Sequence, residues 1–350
     1  MSRTYHQRAS CAPSQQHDVY IYAIAPLIGN GLAAITSADE LIFLPRDTLN
    51  VAGVSRLKHT PHELTSLVVT DGGSTAICAG GDGVVALFDV RTQSRTAEFR
   101  TGKPVNALAC AGSDVAFGGE AIVSVWDRRQ NRFRWQNTEI NDEITALAYH
   151  PSQPNLLLSG GDDGLVSIFD TNIAEEEDSL VQAVNHGPIH KAGFLGSSDL
   201  YALSSDQNLA LHSLTLQDTD TPEPAPDQLG DLRPIIPCEY VIDVFRSGVD
   251  HVVACGSHSK SRVDLVPVNR GLKLDAAPRI VLEGAHGEDV VRSIFADDSS
   301  GVIYTAGEDG RIAAFGPAER QPDPEPSLQE RARSPKFKKG LATEARFKPY

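Results

Sequence analysis

No apolar run in the sequence approaches the ~18 residues that a membrane helix needs. The opening residues, MSRTYHQRASCAPSQQHD, lack the apolar core of a secretory signal. Cysteine is sparse: five, at positions 11, 78, 110, 238 and 255, an odd number with no CxxC pair. That usage points to buried free thiols in a reducing compartment. These absences together lead to the expectation of a soluble intracellular protein. Positive charge is also short. Thirty-one Lys and Arg face 46 Asp and Glu, a net charge of −15, and an acidic surface repels phosphate backbones. Broad nucleic-acid binding is not expected. Catalytic motifs are missing as well: there is no GxSxG, HExxH, P-loop or GxGxxG. The expectation is no enzyme, no cofactor and no metal.

Repetition, by contrast, is abundant. GGDGVVALFDVR (80–91) returns as GGEAIVSVWDRR (118–129), as GGDDGLVSIFDT (160–171) and as AGEDGRIAAF (306–315). The position before the Asp of FD or WD serves as a ruler. It falls at Phe88, Trp126 and Phe169, with weaker copies at Pro45, His212, Pro267 and Phe315. Six residues before each marker stand Asp39, Asp82, Glu120, Asp163, Asp206, Ser261 and Asp309. Asp in a tight turn bonds its own backbone two residues on and tolerates left-handed conformations. Each phrase therefore reads as strand, turn, strand, with Asp39, Asp82, Asp163, Asp206 and Asp309 in structural turns.

Apolar runs upstream and a weaker run downstream bring the unit to four strands. Units of this length that repeat around a ring form a propeller, because one four-stranded sheet cannot bury both of its faces alone. The expected fold is thus all-β, a single seven-bladed β-propeller with short flexible termini. Residues 1–18 read as a polar segment. Blades fall near 19–58, 60–101, 103–137, 141–185, 187–236, 238–284 and 288–316. A Pro-rich and basic linker (317–341) follows. The last blade lacks a fourth strand nearby. Residues 3–9 and 342–350 are the two candidates, and 342–350 is favoured because the linker would tether it. LQDTDTPEPAPDQLG (216–230) reads as a solvated loop.

These features resemble WD repeats over residues 19–316. Trp126-Asp127 is the one literal WD pair, and the usual Gly-His is reversed at His186-Gly187 and His286-Gly287. HGPIHKAGF (186–194), LGDLRPIIPCEYVIDV (229–244) and AHGEDVVRS (285–293) resemble the WD repeat-containing protein 89 group in a fungal-like form. The WD resemblance implies a structural hydrogen-bond network in which such a His joins the turn Asp, a strand Ser or Thr and the Trp. It implies no enzymatic activity.

Function is therefore sought on the loops. The resemblance places the Asp turns and the loops between blades on one face. The polar, chemically mixed residues mapped there are His186, His190, Lys191, Arg233, Glu239, His258, His286, Glu288 and Arg292. They suggest a surface that docks a peptide or protein partner of a monomeric propeller within a complex. Each can equally be structural, with Arg233 and Arg292 pairing to Glu288 or Glu308. His186 and His190 have metal-pair spacing only on a helix, and Gly and Pro intervene. A second reading rests on Phe88-Asp89-Val90-Arg91 and Trp126-Asp127-Arg128-Arg129. Both are similar to the box by which WD proteins dock on the adaptor of cullin-4 ubiquitin ligases. Asp89, Arg91, Trp126, Asp127 and Arg129 would carry it, against the plainer reading of an Arg bracing its strand end. A third reading is an enzyme, since propellers of other families include hydrolases and lactonases. RARSPKFKK (331–339) reads as a nuclear import signal, a nucleic-acid contact or a plain linker. A nuclear or cytoplasmic location is expected, the nucleus favoured.

Overall fold

Short apolar runs separated by Gly, Asp and Ser fold as antiparallel strands, because alternate side chains bury on a sheet face and the punctuating residues turn the chain. A computed structural model describes residues 2–215, 225–248, 250–268, 274 and 279–317. They belong to one compact unit, Met1–Pro317. Residues 318–350 lie outside the described residues, and with them the expected tether, the basic stretch and the strand candidate 342–350.

Five four-stranded sheets take up residues 21–56, 64–100, 107–137, 144–185 and 189–231, each in simple sequential order. An eight-stranded sheet holds the rest. Four of its strands come from residues 240–283, three from 291–317, and one is Arg3–Cys11. The first strand of each group packs against the first strand of the next. Val291–Asp297 returns to pack against Ile21–Leu27, which closes the circuit. This is β-propeller architecture.

Energetics follow from that arrangement. Each apolar cluster is shared by two successive groups of strands. Ile35, Phe43 and Phe88 meet between the first two sheets, and Ile21, Leu32, Tyr304 and Ile312 meet where the end of the chain rejoins its start. Ile35 and Phe88 are fully buried, worth roughly 1.5–3 kcal/mol each. No sheet owns its core, so none is stable by itself. The small residues before the turns allow close approach. A Cβ at Gly80 would overlap the carbonyl oxygen of His62 in the neighbouring loop.

Two expectations change. The place beside Ile312–Pro317 is filled by Arg3–Cys11, which pairs antiparallel with it. The favoured candidate 342–350 gives way to the N-terminal one, and residues 3–11 are a strand rather than part of a loose polar segment. The outer edge of Arg3–Cys11 also pairs, parallel, with Ile280–Glu283, which joins the two halves of the eight-stranded sheet. Similarly, the stretch 216–230 ends in a strand. Asp227–Asp231 pairs with Asn208–Ser213. An outer strand needs backbone pairing more than apolar side chains, so polar sequence serves. Ser94–Arg100 illustrates this, with only Phe99 buried.

Candidate functional site

The turns between second and third strands are built from the ruler residues. Oδ1 of Asp82, Asp163 and Asp309 accepts the backbone N–H two residues on, at 2.9–3.0 Å. The left-handed residue is usually the next one, Gly83, Gly164, Gln207 or Gly310. Asp39 is left-handed itself, and its Oδ1 accepts from Leu64 N of the next sheet at 3.0 Å. Asp206 supplies its carbonyl oxygen to Arg233. Of these turn residues, Asp39 and Gln207 line one mouth of the central channel.

A cavity of about 1050 Å³ opens at this mouth. A second, of about 610 Å³, shares Tyr22, Thr65 and Lys191 with it and continues it along the channel. Most first strands carry an irregularity at their start. The pairing register skips Tyr22, Thr65, Thr145, His190, Ile242 and Arg292. A bulge re-aims the extra side chain and bends the strand. All but Thr145 line the mouth cavity, and Thr145 lines the second.

Of the nine residues expected to meet a partner, five line this cavity: His190, Lys191, Glu239, His258 and Arg292. Glu239 pairs with His258 Nδ1 at 2.5 Å and accepts from the Ser259 hydroxyl and N–H. The Ser259 hydroxyl, ahead of the other contacts, holds the Glu239 carboxyl below its usual range. His190 keeps contact with solvent in the channel. Crowding by protein on its other sides lowers its pKa, and the Lys191 and Arg292 charges add to that. Arg292 is held by Glu308.

The other four lie elsewhere. His286 is buried. Its Nδ1 meets Asp309 Oδ1 at 2.7 Å and its Nε2 meets Thr305 Oγ1 at 2.8 Å. It braces the last sheet and has no face for a partner, because reversing the Gly-His order still leaves the ring over the turn. His186 is half-buried, with Nε2 2.9 Å from Asn208 O. Arg233 forms a two-pronged pair with Asp231, not with Glu288 or Glu308. Glu288 is exposed outside the cavity. Among the described residues, no three His, Cys, Asp or Glu side chains converge as metal ligands.

Several lining residues were not singled out for this role: Tyr22, Asp39, Glu63, Thr65, Gln207 and Tyr240. A signal existed. Counting back 17 residues from Asp39, Asp82 and Asp309 lands on Tyr22, Thr65 and Arg292.

On the second set of boxes, Asp89 Oδ1 accepts from Thr92 N at 2.6 Å and Asp127 Oδ1 from Arg129 N at 2.8 Å. Trp126 stacks on Phe99, with centroids 4.5 Å apart. Arg91 and Arg129 are exposed and have no side-chain hydrogen bond or ion pair among the described residues. Their neighbours differ. Arg128 grips Asp71 at 2.8 and 2.9 Å, and Arg95 pairs with Glu98.

Comparison with known proteins adds lineage to this geometry. The family model described as WD domain, G-beta repeat matches residues 136–170. A WD repeat-containing protein of Saccharomyces cerevisiae is 30% identical over 304 residues, covering 83% of this chain and 76% of the relative. One from Schizosaccharomyces pombe is 30% identical over 331 residues, covering 88% and 98%. The WD repeat-containing protein 89 homolog of Dictyostelium discoideum is 24% identical over 255 residues, covering 68% and 67%.

Proposed function

This chain belongs to the WD-repeat family, and from that footing we propose that it is a non-catalytic interaction scaffold on a seven-bladed propeller. WD-repeat proteins generally act as protein-interaction scaffolds. The blade count is supported by the eight-stranded sheet, in which residues 240–283 and residues 291–317 with Arg3–Cys11 each contribute four strands, beside five separate four-stranded sheets. The partner, a peptide or a protein segment, docks at the channel mouth on the Asp-turn side. One observation carries this reading: bulges on several first strands turn chemically different side chains into one open cavity. The bulges at Thr65 and Thr145 brace the next sheet through their hydroxyls, whereas those at Tyr22, His190 and Arg292 present larger side chains to the cavity.

The test is affinity purification from native cells with quantitative mass spectrometry. Wild type is run beside a Lys191→Ala plus Arg292→Ala variant whose fold is checked by circular dichroism. Partners lost from the variant alone support docking at the mouth. An unchanged partner list sinks it.

A second reading is favoured by the two unpaired cations, Arg91 and Arg129. The carboxylates of their own boxes are spent on turn N–H groups, which leaves both guanidinium groups available to the cullin-4 adaptor. Arg91→Ala with Arg129→Ala then abolishes co-purification of that adaptor. If wild type never brings the adaptor down, the reading fails.

A further inference from the structure

We propose that the channel mouth reads a basic side chain, so that the docking segment is a peptide carrying Arg or Lys. This deepens the docking reading above and rests on it. The first observation is Tyr22. It is the residue skipped by the register between Ile21 and Ala23, stays 39% exposed and lines both channel cavities. The equivalent skipped residues Thr65 and Thr145 turn hydroxyls onto carbonyls of the next sheet, whereas at Tyr22 a large ring is left open to the cavity.

The second observation is what shares that wall. Asp39 and Glu63 line the same cavity. Asp39 spends Oδ1 on Leu64 N, and its Oδ2 lies 3.6 Å from His62 Nδ1. Glu63 is exposed and has no side-chain hydrogen bond or ion pair among the described residues. A phenol face sharing a cavity with an open carboxylate, that of Glu63, suits a cation. The ring attracts it through its quadrupole, and the carboxylate takes charge-assisted hydrogen bonds.

The rest of the rim sets direction. Glu239 is occupied by His258 and Ser259, and Arg292, on the strand that packs against Ile21–Leu27, by Glu308. Lys191 has no such partner among the described residues. It repels a cation from its own side and accepts a carboxylate there. The mouth is thus polarised, with an open acid and a tyrosine on the wall of the first two sheets and an open lysine opposite. At longer range the field agrees. Residues 319–350 hold eight Lys and Arg against five Asp and Glu, leaving −18 on residues 1–318, which steers basic segments toward the ring.

The test selects a random displayed short-peptide library on the full chain. Wild type is compared with Tyr22→Ala plus Glu63→Gln, and with Ser205→Trp, which plugs the mouth from an exposed lining position. Selected peptides are then measured by fluorescence anisotropy, and each variant's fold is checked by circular dichroism. We expect peptides with a shared Arg or Lys whose binding is lost with Ser205→Trp and weakens about tenfold with Tyr22→Ala plus Glu63→Gln. Raising salt weakens it further. Peptides that need an open mouth but share no basic residue, or that bind the Tyr22 and Glu63 variant undiminished, overturn this proposal and leave the docking reading standing. If no selected peptide is sensitive to Ser205→Trp, both are overturned.

Discussion

Replacing His286 by alanine separates bracing from docking, because this His was expected at the interface and is found in the core. Its side chain is shielded from solvent. Removing it leaves the hydroxyl of Thr305, a residue with no exposed surface, without its 2.8 Å partner. A buried donor or acceptor left unpaired costs about 1–3 kcal/mol. Asp309 keeps Arg311 N but loses its 2.7 Å contact to the ring, about 1 kcal/mol more. The lost packing adds about 1 kcal/mol by the usual cavity cost. His286→Ala is therefore expected to lower folding stability by about 3–5 kcal/mol. The assay is urea unfolding followed by tryptophan fluorescence, run with Thr305→Val and the double variant. Contacting residues couple by about 0.5–3 kcal/mol in such a cycle. A stability loss below about 1 kcal/mol, or zero coupling, refutes the network. So does a variant that keeps its stability yet loses a mouth-bound partner.

Three further outcomes follow from the same geometry. Gly80→Ala forces the new methyl against the His62 carbonyl, so stability drops by about 1–3 kcal/mol; an unchanged melting temperature contradicts the close approach. Arg128 holds the Asp71 carboxyl below its ordinary range, so the pair's contribution is complete above about pH 4 and fades as pH falls through the folded-state value. Asp71 is partly exposed, which limits the effect to about 0.5 kcal/mol. Asp71→Asn flattens this part of the acid limb in an acid titration followed by circular dichroism, and an identical limb contradicts the pairing. Deleting residues 2–11 bares the edges Ile312–Pro317 and Ile280–Glu283, and bare edges pair with other chains. Light scattering then reports self-association and the melting temperature falls; a stable monomer contradicts Arg3–Cys11 as the closing strand.

What the sequence determined by itself is local. Apolar alternation and Asp- or Gly-marked turns depend on neighbours a few residues apart, so strand positions, the four-strand grouping and the all-β class were legible in runs such as 75–91 and 155–170. Tertiary structure decided whatever depends on distant partners. Arg3–Cys11 and Ile312–Pro317 pair from opposite ends of the described chain, and the polar outer strand Arg3–Cys11 carries little pattern of its own. His258 and His286 look alike in sequence, yet one faces the mouth and the other lies beneath Asp309. Only the closed ring brings Tyr22 and Glu63 to the same cavity as Lys191 and Arg292, because a surface shared by several sheets exists only after the sheets have met.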